Sequence, residues 1–153
     1  MIAFIPARGG SKGISNKNII KIAGRPLIEW AVNACVQCEE IDRVYVATDS
    51  QDIRDVVKGL NYDSVLVTTR SKASATDEAA TEVVVEEFFE ADIACNSLVL
   101  VQATNPFITA GDLSAAIQLF RTNLYGSIVS VVNRHFFTFI QYGIRINKID
   151  TRP

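Results

Sequence analysis

Short apolar runs alternate with amphipathic stretches along this chain, and each pair predicts a strand followed by a helix. Ile2 to Ile5 is an apolar run ended by Pro6, which suits a fully buried strand. From Pro26 to about Cys38 the residues Leu27, Trp30, Ala31, Ala34 and Cys35 recur at helical spacing, with Pro26 suited to the first turn. Arg43 to Thr48 reads as a β-branched strand, and the stretch after it as a short helix closed by Gly59. Ser64 to Thr68 is a third strand. Ser74 to about Glu90 is a helix whose apolar face includes Ala80, Val84, Val85, Phe88 and Phe89. Ser97 to Val101, Gly111 to Thr122 and Ser127 to Val132 complete the series as a fourth strand, a fourth helix and a fifth strand.

Strands that are continuously apolar rather than alternating belong to a parallel sheet covered on both faces. The fold expected is therefore a three-layer α/β/α domain with a mostly parallel central sheet. After Val132 the period breaks, and Phe136 to Asn147 reads as two antiparallel strands around Gly143. At 153 residues the chain has the length of one domain. It stops at Pro153 without a further helix, so residues 1–153 are expected to be part of a longer protein, truncated at the C-terminus.

Composition narrows the class. The hydrophobic share of 48% and the charged share of 21% suit a folded globular chain. No apolar run approaches the 18 or so residues of a membrane span, and Arg8 to Lys21 interrupts the place of a signal peptide's apolar stretch. A cytoplasmic protein without a membrane partner is expected. Cys35, Cys38 and Cys95 form an odd set of thiols, and Cys35-Val-Gln-Cys38 lies in a helical pattern without a second pair, so it reads as buried structure rather than half a zinc site.

Charge changes the picture more. The net charge is −2, yet the loop after the first strand carries Arg8, Lys12, Lys17 and Lys21, and no acid precedes Glu29. A cationic segment in an acidic chain implies an anionic ligand, and phosphate leads. A P-loop needs a lysine directly after the last glycine, whereas Lys12 precedes Gly13. A dinucleotide loop opens straight into a helix, whereas about a dozen residues separate Gly13 from Pro26. What remains is a long basic loop whose Gly9, Gly10 and Gly13 let backbone N–H groups approach phosphate oxygens. Its cations form one loop without interleaved aromatics, so nucleic acid is not an expected partner.

The run Ile5-Pro6-Ala7-Arg8-Gly9-Gly10-Ser11-Lys12-Gly13-Ile14-Ser15-Asn16-Lys17-Asn18 resembles the N-terminal signature of the acylneuraminate cytidylyltransferases. The likeness continues in Thr48-Asp49-Ser50, in Arg70 with Asp77, in Leu98 to Pro106 and in Ser127 to Val132, and so spans nearly the whole chain. It implies a Rossmann-like, glycosyltransferase-A-like nucleotidyltransferase domain. The implied reaction joins CTP to an acidic 2-keto sugar of nine carbons, giving a CMP-sugar and pyrophosphate, with Mg2+ bridging phosphate oxygens and a homodimer as the full-length assembly.

The same resemblance implies the site. Arg8, Ser11 and Lys17 would hold the triphosphate; the loop's own charge adds Lys12 to its neutralisation, and Arg8 and Lys17 are, from the chemistry of a departing pyrophosphate, the expected catalytic cations. Asn18 and Arg70 would hold the cytidine, the backbone at Pro6 and Ala7 would meet the base, and Gln102 would meet the sugar. Ala103 stands where the family commonly has proline, and Asn105 where it has serine, which bears on sugar choice. The family's paired-aspartate metal motif has no counterpart here, so the metal ligands are unassigned. Relatives acting on the eight-carbon acid Kdo, and a CTP-binding fragment without turnover, are the alternatives.

Independently of the family, ligands of parallel α/β sheets bind beyond the carboxyl ends of the strands, where Arg8, Asp49, Arg70 and Gln102 all fall. Asp49, just ahead of a helix, reads as its N-cap, with a substrate or metal-water contact as the alternative. Asp77 after Ser74 and Asp112 after Thr109 fit capping boxes. His135 is the only histidine and has no located carboxylate partner, so the general base is unassigned. Phe136, Phe137, Phe139 and Tyr142 read as hairpin packing.

Overall fold

A strand buried on both faces needs partners on each edge and apolar cover above and below, and β1 (Ile2–Pro6) has all of these. In the computed structural model, which describes residues 1–10, 13–71, 73–76, 81–91, 95–122, 126–131, 138–139 and 145–146, β1 pairs in parallel with two strands. One is β4 (Arg43–Thr48), from Ile2 opposite Arg43 to Pro6 opposite Ala47. The other is β6 (Leu98–Leu100), with Ile2 opposite Leu98. β5 (Val65–Thr69) pairs in parallel with β4, so the sheet runs β5-β4-β1-β6. That order reverses direction at β1, and the reversal opens a crevice at the carboxyl ends of β1 and β6.

Alternation along β1 divides the core. Ala3 and Ile5 face one layer with Ile28, Val32, Cys35, Ile53, Val57, Leu113 and Ile117, which belong to α1 (Leu27–Val36), α2 (Gln51–Gly59) and α4 (Ala110–Thr122). Phe4 faces the other layer with Val84 and Phe88 of α3 (Thr81–Glu90). The Phe4 and Phe88 rings lie 4.6 Å apart, a contact that contributes about 1 kcal/mol beyond their burial. The three-layer α/β/α arrangement with a parallel sheet is thus the one the apolar runs predict.

Three differences have physical causes. Residues 127–131, expected as a fifth strand, join no sheet; Val129 and Val131 are 80% and 83% exposed, and β-propensity alone gives a strand no partner. The helix expected from Ser74 covers Thr81–Glu90 among the described residues, and Ser74 instead closes a turn with its backbone N–H donating to Ser71 Oγ at 3.0 Å. The long basic loop is more structured than its composition suggests. After Asn16, in the left-handed region at φ 52°, Lys17–Ile19 forms a single 3₁₀ turn. β2 (Lys21–Ile22) and β3 (Arg25–Pro26) then make a hairpin through Ala23 and Gly24, at φ 50° and 83°. Trp30 of α1 holds it, its indole N–H donating to Ile22 O and its ring lying under Arg25 at 5.3 Å.

Within the stretch expected as a terminal hairpin, β7 (Thr138–Phe139) and β8 (Arg145–Ile146) pair antiparallel. Phe136, Phe137 and Tyr142 of that stretch, and His135, lie outside the described residues, as do Asp77 and Ala80. No helix among the described residues is long and apolar enough to cross a membrane.

Cys35 is buried and its thiol is pushed up to about 12, by burial first and by the neighbouring Cys38, so it behaves as core. Glu40, just ahead of β4, ties the chain's start to α4. Its carboxylate accepts from Ser114 Oγ at 2.6 Å and Gln118 Nε2 at 3.1 Å, and its carbonyl accepts from the Met1 amine at 2.8 Å. The Ser114 bond, then the Gln118 bond, lower its pKa from 4.5 to about 2. A carboxylate lowered by folding stabilises fully above its unfolded pKa and loses that contribution as pH falls through the folded one. The stability gap between the native chain and Glu40→Gln is therefore expected to narrow as pH falls from 4.5 toward 2. Urea unfolding midpoints across that window test this, and a gap constant with pH would refute it.

Candidate functional site

The carboxyl ends of β1, β5 and β6 and the start of α3 surround a cavity of about 210 Å³. Pro6, Arg8, Lys17, Asn18, Arg70 and Gln102 line it, together with Thr76, Thr81, Val84, Ala103 and Thr104. Six residues singled out from sequence, scattered from position 6 to position 102, therefore meet at one place. Ala7 is beside them but buried, and its N–H donates to Ala47 O at 2.9 Å, which continues the sheet rather than lining the cavity. Ser11 and Lys12 lie outside the described residues.

Each lining side chain is placed by a local feature. Asn18 sits in the 3₁₀ turn, buried, and its Nδ2 donates to Arg8 O at 3.0 Å, so the two ends of the basic loop are tied together. Lys17 precedes it in the same turn. Gln102 follows β6, held by a turn in which Asn105 N–H donates to its carbonyl at 3.1 Å. Arg70 follows β5 and is only 7% exposed, and one of its terminal nitrogens donates to Ser74 O.

Burial lowers the Arg70 pKa from its ordinary value, Asp49 pushes it back up, Arg8 lowers it again and Glu87 raises it. The guanidinium nevertheless stays charged at neutral pH, because arginine does not deprotonate in proteins. Two polar atoms of lining residues, Asn18 Oδ1 and Arg70 Nε, are buried with no hydrogen-bond partner. A native structure leaves few such atoms, because each costs about 1–3 kcal/mol. An acceptor and a donor on two of the lining residues are thus both unmet among the described residues.

Asp49 is not the N-cap of α2. That role belongs to Ser50, whose Oγ accepts from Ile53 N–H at 3.4 Å. Asp49, one residue too early to reach the helix's first turn, instead accepts from Gly9 N–H through Oδ1 at 2.9 Å and so anchors the glycine loop. Thr109 and Asp112 do form the expected reciprocal cap, with Asp112 N–H donating to Thr109 Oγ1 at 3.1 Å and Thr109 N–H to Asp112 Oδ2 at 3.0 Å. These bonds lower the Asp112 pKa.

Sequence reasoning missed Thr76, Thr81, Val84 and Thr104, since a threonine ahead of a helix or past a strand carries no distinctive signal. It also missed Glu87, which reads as an ordinary exposed-face glutamate. Among the described residues the lining contains no carboxylate, and no three His, Cys, Asp or Glu side chains cluster to hold a metal. The described lining residues do not by themselves fit a magnesium site.

A family model described as Cytidylyltransferase matches residues 2–138. An N-acylneuraminate cytidylyltransferase of Oncorhynchus mykiss is 37% identical over 139 residues, which cover 88% of this chain and 31% of that protein. One from Escherichia coli O18:K1:H7 is 33% identical over 132 residues, covering 86% of this chain and again 31% of the relative. The chain thus spans about a third of the length of these relatives. A solved CMP:2-keto-3-deoxy-manno-octonic acid synthetase complexed with CTP superposes with a TM-score of 0.66 at 24% identity, over 80% of this chain and 47% of that one, and so has the same fold.

Proposed function

The chain belongs to the cytidylyltransferase family, and from that premise we propose that it binds CTP in the cavity beyond β1 and forms a CMP-activated acidic nine-carbon sugar with release of pyrophosphate. The observation that carries this reading is the convergence of Arg8, Lys17, Asn18, Arg70 and Gln102 on one cavity, two of which, Asn18 and Arg70, hold an unmet acceptor, Oδ1, and an unmet donor, Nε, shielded from solvent in the free chain. A cytosine ring offers an exocyclic amine that donates and ring acceptors beside it, which is the complement of one acceptor and one donor. Asn18 and Arg70 are accordingly the cytidine residues, with the Pro6 backbone beside them.

In this reaction a sugar hydroxyl oxygen bonds to the α-phosphorus while the bond to the β-phosphate oxygen breaks, and the hydroxyl proton leaves with a base not yet assigned. Negative charge builds on the departing pyrophosphate. Arg8 and Lys17, both lining the cavity, supply fixed positive charge there and stabilise the transition state more than the ground state. Ser11 and Lys12 complete the triphosphate loop in this reading, and Gln102, exposed and lining the same cavity, contacts the sugar. Magnesium binds largely through phosphate oxygens and water, so in this reading it arrives with CTP, and none of the steps above is assigned to it.

The sialic-acid-like sugar is supported by the names of the relatives at 33% and 37% identity. The solved eight-carbon-acid synthetase keeps Kdo as a second candidate. The chain's coverage of about a third of its relatives keeps alive a CTP-binding module without turnover. The same reading takes the protein as cytoplasmic and, at full length, homodimeric. Calorimetric titration with CTP, UTP and ATP, followed by a pyrophosphate-release assay with N-acetylneuraminate or Kdo, tests all three. Tight CTP binding with release selects the enzyme and its sugar, CTP binding alone selects the module, and no preference for CTP rejects the reading.

A further inference from the structure

Arg70 is the most buried of the described cations at the cavity, and its orientation depends on a turn that is itself held from a distant helix. One guanidinium nitrogen donates to Ser74 O, and Ser74 is completely buried. Ser74 is fixed in turn by Ser71, whose Oγ accepts from Ser74 N–H at 3.0 Å. Both serines then converge on one carboxylate. Glu87 of α3 accepts from Ser74 Oγ at 2.7 Å, from Ser71 N–H at 3.3 Å and from Ser71 Oγ. Three donors meeting on two oxygens suit a carboxylate, and because two of them are hydroxyls that can also accept, an amide can keep part of the network whereas alanine keeps none. The bonds to Ser71 and Ser74, and the nearby Arg70 charge, lower the Glu87 pKa.

We propose that Glu87 is a positioning residue for Arg70: through the Ser71–Ser74 turn it sets the direction in which the guanidinium is presented to the cavity. α3 also lines the cavity through Thr81 and Val84, and Val84 lies one turn before Glu87. The seating of α3 on the sheet and the aim of Arg70 are therefore one mechanical unit. A ligand that contacts Arg70 is read by both at once. The ligand part of this inference rests on the cavity being the CTP site; the positioning part does not.

Two measurements on the full chain separate these parts, using Glu87→Ala, Glu87→Gln and Arg70→Lys, with folding checked by circular dichroism. In the free protein, the Arg70 Nε–Hε resonance, identified by its loss in Arg70→Lys, is expected to shift or broaden in Glu87→Ala and to be partly restored in Glu87→Gln. An unchanged resonance in both variants overturns the proposal whether or not CTP binds. In calorimetry, Glu87→Ala is expected to weaken CTP binding about tenfold, and to change it less than about twofold when Arg70 is already Lys. An equal loss in both backgrounds means that Glu87 acts elsewhere, and it also overturns the proposal. Absence of CTP binding by the native chain rejects the reading of the cavity and leaves the resonance to decide the role of Glu87.

Discussion

Arg70→Met is expected to weaken CTP binding by roughly 10- to 100-fold while leaving the folded chain about as stable as before. The two halves of that result have different causes. Charge-assisted hydrogen bonds to a ligand are worth about 1.5–3 kcal/mol, which is one to two powers of ten in affinity. The guanidinium, however, is 7% exposed, its Nε has no partner, and burial already lowers its pKa. A buried charge so poorly compensated adds little to stability, and methionine keeps the apolar stem that packs there. The losses in the folded state are the donor to Ser74 O and the attraction of Asp49 and Glu87, set against relief from burial and from the repulsion of Arg8. Thermal unfolding with and without CTP reads both halves. The midpoint of the free variant should match or exceed the native one, and the rise on adding saturating CTP should disappear. A large drop in the free midpoint would make Arg70 a structural residue, and an undiminished rise with CTP would remove it from the site.

The parts of this molecule that were legible in its sequence are those where one residue's neighbours along the chain decide its role. The apolar run Ile2 to Ile5 has to be covered on both faces, and Ala3, Phe4 and Ile5 are fully buried. Ser50 and Asp49 mark the limit of that reasoning. Both are good capping residues at adjacent positions, and only the three-dimensional path decides that Ser50 meets Ile53 while Asp49 meets Gly9, forty positions earlier. The described part of the strand expected at Ser127 to Val132, residues 127–131, joins no sheet for a related reason. Its pattern measures how well a side chain suits a sheet, whereas a strand also needs a neighbouring backbone to pair with. The hairpin at Ala23 and Gly24 was hidden because its turn has Ala where Asn or Asp would announce it. Glu87 was invisible because its three partners lie thirteen and sixteen positions away.

The contact between the glycine loop and the start of α2 makes a second large effect predictable. A Cβ added at Gly9 would lie 2.8 Å from Ser50 Cβ and 3.2 Å from Ser50 Oγ, distances that real side chains do not tolerate against fixed neighbours. Gly9 is therefore required by close approach rather than by a left-handed turn. Gly9→Ala must push the loop away from Ser50 at the start of α2, lengthening the bond from Gly9 N–H to Asp49 and displacing the adjacent Arg8 from the cavity wall. Overpacking of this kind costs about 1–3 kcal/mol in stability. If Arg8 holds the triphosphate as proposed, displacing it adds a loss in CTP affinity of roughly 10- to 100-fold. The cause can be isolated by a second substitution. Ser50→Gly removes both crowded atoms and leaves Ser50 Cα at 3.7 Å, an ordinary contact, while a glycine N-cap costs α2 only a few tenths of a kcal/mol. Gly9→Ala combined with Ser50→Gly is thus expected to recover most of the CTP affinity that Gly9→Ala loses. Calorimetry on the two single variants and the double variant provides the check. If the double variant binds no better than Gly9→Ala alone, the steric account of the loop is wrong, and the requirement for glycine at position 9 must come from the ligand instead.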